Sequence, residues 1–154
     1  MNEQGREIFF ALINNKLLVS ALVGWFTAQI LKTMINALMT KEFNPERLVG
    51  SGGMPSSHSA TVCGLTTAAA IVYGLASAEF AISFVLAVIV MYDAMGVRRE
   101  TGKQAKLLNL MMSTFRHEHK GLPEEILKEY IGHTPLQVLG GAVLGIILAI
   151  WICS

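Results

Sequence analysis

Four apolar stretches, each about as long as a bilayer is thick, constrain this chain more than any other feature. They run over residues 17–39, 58–78, 80–97 and 135–153. A helix of about 20 apolar residues crosses the hydrocarbon core. No water is present there to satisfy N–H and C=O groups, so the crossing chain must be helical or a closed barrel. Stretches of this length fit helices. The expectation is an all-α integral membrane bundle of about four transmembrane helices, one domain over residues 1–154, with short amphipathic helices at the interface. Only 15% of residues are charged, against about 25% in soluble proteins. Cys63 and Cys153 fall inside apolar stretches and read as free small hydrophobes. The N-terminal residues include Glu3, Arg6 and Glu7, unlike a cleavable leader. Ile8, Phe9, Leu12 and Ile13 repeat at helical spacing there, which predicts a short interfacial helix.

The polar residues of the spans are not scattered. In the first, Gln29, Lys32, Thr33, Asn36 and Thr40 share one helical face of its C-terminal half. Lys32 either snorkels to the headgroups or faces a polar pocket, and the stripe favours the pocket. The second span is rich in Ala, Gly, Ser and Thr, which suits a central helix packed closely in lipid. A tight turn at residues 76–79 follows. The third span is apolar until Tyr92, Asp93 and Gly96. Asp93 serves either the site or an arginine partner. Residues 98–133 are polar. Leu107, Leu108, Met111 and Phe115 predict a surface-lying amphipathic helix, and Pro123, Glu124 and Glu125 open a second short one ended by Gly132. His117-Glu118-His119 reads as solvated residues rather than a metal pair. In the fourth span, Gly141 and Gly145 form a small-residue face for helix packing or a homodimer.

Between the first two spans lies Gly50-Ser51-Gly52-Gly53-Met54-Pro55-Ser56-Ser57-His58-Ser59. The glycines let backbone N–H groups turn toward an anion. Pro55 suits the first turn of the next helix, with Ser56 or Ser57 as its cap. Such a helix start favours phosphate. Four alternating spans place Lys32, Arg47, His58, Asp93, Arg98, Arg99 and His133 on one membrane face. The same face carries Lys41, Lys103, Lys106, Arg116, Lys120 and Lys128, while only Arg6 and Lys16 precede the first span. The positive-inside rule makes that face cytoplasmic.

Two histidines, several cations and a glycine-rich helix start suit phosphoryl transfer without a metal. One histidine attacks phosphorus and the other protonates the leaving oxygen, while cations and N–H groups hold the equatorial oxygens. No metal and no cofactor is called for: the acidic ligands magnesium would need are missing, with Asp93 alone near the site.

Met54-Pro55-Ser56-Ser57-His58-Ser59 resembles the Pro-Ser-Gly-His motif of the type 2 phosphatidic acid phosphatases and vanadium haloperoxidases. His133-Thr134-Pro135-Leu136-Gln137-Val138-Leu139-Gly140-Gly141 resembles that superfamily's last motif. With Ala28-Gln29-Ile30-Leu31-Lys32, Tyr92-Asp93-Ala94-Met95-Gly96-Val97-Arg98-Arg99 and Gly102-Lys103-Gln104-Ala105, the pattern is similar to a small divergent branch of the superfamily, from about residue 17 to the C-terminus. The resemblance implies His133 as nucleophile, His58 as acid, and Lys32, Gly53, Ser56 and Ser57 around the phosphate. Leu127 stands where the superfamily has an arginine, so Arg98 or Arg99 is expected to supply that cation. Arg47 stands in for a missing Arg-Pro pair. Gln137 replaces the aspartate that orients the nucleophile, and Asp93 is the alternative for that role. The usual fold has six membrane helices, and this chain offers four.

The implied activity is removal of phosphate from a lipid: phosphatidylglycerophosphate, phosphatidate or a polyprenyl diphosphate, in a bacterial-type plasma membrane. The partners are then that substrate and the bilayer, with a homodimer through Gly141 and Gly145; no nucleic acid is expected. Two other classes fit in part: a non-catalytic binder or carrier of lipid phosphate, and a structural or regulatory membrane subunit.

Overall fold

The computed structural model describes residues 2–41, 53–118 and 134–154. Among them the chain is helical: α1 (Glu3–Asn14), α2 (Lys16–Thr40), α3 (Ser57–Tyr73), α4 (Ala78–Met95), α5 (Val97–Glu118) and α6 (Pro135–Cys153). The expected amphipathic helix after Pro123 lies outside the described residues.

Asn15 divides α1 from α2. It ends the first helix, and its side chain takes the N–H groups of Leu17 and Leu18, both at 3.1 Å. Three stretches of helix are long and apolar enough to cross a membrane: Lys16–Thr40, Ala78–Thr114 and Pro135–Cys153. The expected second span, α3, is shorter than the sequence suggests. It stops at Tyr73 because Gly74 adopts φ 88°, and nothing crowds that position, so the backbone angle rather than space calls for glycine. The turn therefore begins at Gly74, and Ser77 caps α4 by accepting the N–H of Phe80 at 3.1 Å. At 17 residues, α3 is still about 26 Å long. The third span passes into α5 without a loop. Gly96 keeps helical angles and carries the hydrogen-bond ladder across, from Gly96 N–H to Tyr92 O at 2.9 Å and Glu100 N–H to Gly96 O at 3.1 Å.

α3 is the central helix and touches α2, α4 and α6. Its buried residues are small: Ser57, Ser59, Ala60, Cys63, Gly64, Ala68 and Ala69, with Val62 the largest. Large apolar side chains point outward instead, among them Phe26, Phe84, Ile89, Leu139, Ile147 and Trp151. This reverses the usual order of a water-soluble protein and matches a bundle solvated by lipid, where helices gain little from burying apolar surface and associate by close backbone contact. The Ala60 carbonyl is the nearest point. A Cβ on Gly24 would lie 2.8 Å from its oxygen, and one on Gly145 would overlap it. Gly64 meets the backbone of Ser20 from α2 and of Gly145 from α6. Thr66 Oγ1 ties α3 to α4 by donating to Ser83 O at 3.0 Å. Lys16 Nζ donates to Cys153 O at 3.1 Å, so α2 begins where α6 ends. Cys63 and Cys153 are free and buried, as their setting suggests.

The glycine face of α6 is thus used within the chain. Gly141 backs onto Ser56 and Ser59, and Gly145 onto Ala60 and Gly64.

Gly145→Val should destabilise the bundle by about 2–3 kcal/mol, at the upper end of overpacking costs, because the contact is with backbone that has nowhere to move. Helix loss in mixed micelles titrated with dodecyl sulfate measures this, and Leu139→Val on the lipid side should leave the midpoint within about 0.5 kcal/mol of wild type.

Candidate functional site

The starts of α3 and α6 meet at one end of the bundle, beside the C-terminal half of α2. Ser56 is the N-cap of α3. Its Oγ accepts from Ser59 N–H at 3.4 Å and from Ser59 Oγ at 3.1 Å. Thr134 caps α6 in a reciprocal box: Gln137 N–H to Thr134 Oγ1 at 3.4 Å, and Thr134 N–H to Gln137 Oε1 at 3.1 Å. One backbone hydrogen bond joins the two starts, from Ser56 N–H to Gln137 O at 3.0 Å. Below it, Gly141 lets α6 reach the Ser56 carbonyl, and a Cβ on Gly140 would touch Met54 and Pro55.

α2 completes the cluster. Lys32 is 5% exposed, and Gln29 and Thr33 on the same face are buried with it. Gly53, at φ 91°, brings the incoming loop against the lysine stem: a Cβ there would lie 3.8 Å from Lys32 Cβ and 3.9 Å from its Cδ. Positive φ and this close stem together explain a glycine at this point. Of the two readings of Lys32, the buried one holds. The side chain is buried in the bundle, and a charge so placed is costly unless anionic or polar groups answer it. His58 is half-buried in the first turn of α3. Helix-start N–H groups and the lysine give this end of the bundle a positive field suited to an anion.

The structure therefore brings together Lys32, Gly53, Ser56, Ser57, His58 and Gln137. It changes the reading of several. Pro55 precedes the cap instead of opening the helix, because Ser56 Oγ takes the N–H of Ser59 and so fixes the start at Ser57; the Met54–Pro55 bond is cis. Ser56 is 0% exposed and its hydroxyl is engaged as the cap of α3. Ser57 is buried as well. The Gln137 side chain serves the cap of α6. Asp93 is exposed on α4, and its neighbour Ala94, at 2%, takes the inward position. It is not packed into the cluster as expected. Helix α5 includes Arg98 and Arg99, whose side chains are outside the description, and Arg47 and His133 lie outside the described residues. His117 and Glu118 continue α5 rather than lying in a loop.

Thr134 was the residue sequence reasoning missed. Its signal was present, since Thr134-Pro135-Leu136-Gln137 is a capping box with proline at the first helical position.

Residues 13–148 of the chain match the family described as "Divergent PAP2 family". A curated protein of Bacillus subtilis (strain 168), printed as "Uncharacterized membrane protein YuiD", is 38% identical over 149 residues, covering 90% of this chain and 94% of the relative. No solved structure matches it.

Ser56→Ala should cost about 1 kcal/mol of stability, the usual loss of an N-cap. Lys32→Met should remove retention of orthovanadate, because it takes away the buried cation beside Gly53. Micelle unfolding and vanadate binding on the same preparations measure the two effects.

Proposed function

The chain belongs to the divergent PAP2 family, and from that premise we propose that it is an integral membrane phosphatase that removes phosphate from a lipid phosphate through a phosphohistidine. The observation that carries the reading is the Ser56–Gln137 backbone bond. It ties together two helix starts whose chain neighbours are His58, two residues inside α3, and His133, one residue before the cap of α6. The buried Lys32 closes the third side.

The steps balance as follows. A ring nitrogen of His133 attacks phosphorus while the phosphorus–oxygen bond to the lipid breaks. The departing oxygen takes a proton from His58. Water then attacks the phosphohistidine and returns a proton to His58, the phosphorus–nitrogen bond breaks, and inorganic phosphate leaves. Lys32 and the N–H groups opening α3 stabilise charge on the transferring oxygens in both steps. Gln137 in place of aspartate gives His133 no carboxylate to stabilise its cation, which favours a slow enzyme.

The site stands at the ends of α2, α3 and α6, near headgroup depth, so a lipid need not leave the bilayer. The positive-inside count supports a cytoplasmic side for that end. Phosphatidylglycerophosphate or phosphatidate is then a more natural substrate than a polyprenyl diphosphate presented outside.

A second reading, a lipid-phosphate binder without turnover, is favoured by one observation: the Gln137 side chain is engaged in the cap of α6. Both readings use Lys32; only the first needs both histidines.

Purified protein in detergent, with chelator present, should release phosphate from at least one of phosphatidylglycerophosphate, phosphatidate and undecaprenyl diphosphate, and His133→Ala should reduce the rate by 10³-fold or more, roughly as loss of a nucleophile does. Equal rates in the two proteins would remove His133 as nucleophile. Lipid binding lost in Lys32→Met, with no release by wild type, would select the binder.

A further inference from the structure

A hollow of about 340 Å³ lies on the first span, lined by Leu22, Val23, Trp25 and Phe26. That volume falls in the range of about 300–1,000 Å³ found for small-molecule sites. The Trp25 and Phe26 rings stand side by side, with centroids 6.5 Å apart. Their neighbour Gly24 meets the Ala60 carbonyl of α3, whereas Leu22, Trp25 and Phe26 are exposed and turn toward the bilayer. A lipid-facing hollow alone accepts any acyl chain. The residues above this one on α2 give it a preference.

At about 100° per residue, Leu22, Trp25, Gln29 and Lys32 fall within an arc of about 80° on α2. One line along the helix therefore carries an apolar hollow, then a buried carboxamide, then a buried ammonium beside Gly53. At 1.5 Å rise, Lys32 stands about 10 Å above Trp25 and about 15 Å above Leu22, with Gln29 about 4.5 Å below the lysine. Gln29 is 5% exposed, and its Oε1 is buried and accepts no hydrogen bond in the structure. A buried amide oxygen in that state is costly, and native structures seldom keep one without a use.

We propose that this line is the seat of a glycerophospholipid ending in a phosphate monoester, with its phosphate at Lys32, its glycerol level with Gln29 and one acyl chain in the hollow. The inference rests on the lipid-phosphate reading of the site, and it holds whether the lipid is hydrolysed or only held. Charge and polarity match in order: cation to phosphate, carboxamide to glycerol, apolar wall to chain. A carboxamide accepts from a glycerol hydroxyl and donates to an ester oxygen. A polyprenyl phosphate has a phosphate and a chain with nothing polar between them, so it leaves the Gln29 amide unanswered.

The test is Trp25 fluorescence of the full chain in detergent. The sequence holds two tryptophans, so Trp151→Phe leaves Trp25 as the emitter, and His133→Ala in the same chain suppresses turnover. Bromine on an acyl chain quenches only a ring it touches. Brominated phosphatidate should reach half-quenching at a mole fraction roughly tenfold below that of brominated phosphatidylcholine, the worth of about one charge-assisted hydrogen bond. Lys32→Met should bring the two lipids within about twofold, since only their shared chains then act. Unbrominated phosphatidylglycerophosphate should relieve the quenching at a mole fraction at least about threefold below that of undecaprenyl phosphate, and Gln29→Leu should erase that difference, the loss of one neutral hydrogen bond. Where either variant does not fold, Lys32→Gln or Gln29→Met is read in its place. Equal quenching by the two brominated lipids, a preference that survives loss of the lysine, or equal relief by the two competitors overturns the proposal. Phosphate release by the unsubstituted chain is the separate arm. No release with preferential quenching removes the phosphatase and keeps the seat; release with equal quenching removes the seat and keeps the phosphatase.

Discussion

Everything in this bundle depends on how closely α3 approaches its neighbours. The Ala60 carbonyl lies where Gly24 of α2 and Gly145 of α6 have no side chain, and Gly64 accepts the same two helices one turn further on. In lipid no hydrophobic gain drives helices together, so contact at backbone distance and a few interhelical hydrogen bonds carry the association. Thr66 and Lys16 supply two of those bonds. The large side chains are left to face the acyl chains, which solvate them as well as a protein core would.

That packing sets the register at the site. Gly141 and Gly145 are spaced one turn apart on α6 and rest on Ser56, Ala60 and Gly64 of α3. The start of α6 is then held opposite the start of α3, and the bond from Ser56 N–H to Gln137 O closes the end of the pair. Two helix starts meeting at one end of the bundle give a cluster of N–H groups and a positive field. With Lys32 enclosed beside Gly53, an anion is the natural complement of the place. Ser56, Thr134 and Gln137 are engaged in the caps and in the bond between the two helix starts, so several polar groups of the motif are used within the fold.

Much of this was legible in the residues. The helical class, the capped start at the serines and the buried lysine follow from span length, cap chemistry and the polar stripe of Gln29, Lys32 and Thr33. Less legible were features that depend on neighbours. Asp93 and Ala94 are adjacent, and only the packing of α4 on α3 decides that the alanine faces inward. Nothing local distinguishes a glycine face used inside a chain from one used between chains, since the backbone contact is the same in both. Ser56 and Ser57 have the chemistry of both a cap and a phosphate ligand, and burial beneath α6 makes Ser56 the cap.

The sequence by itself determined that this chain is a helical membrane protein, because a bilayer leaves an apolar stretch of that length few alternatives. Only the tertiary structure decided that Lys32 packs beside Gly53 and that the start of α3 meets the start of α6. Rotation about each helix and the depth of each contact are set by where glycine backbones can touch, and that is a property of pairs of helices, not of any one of them.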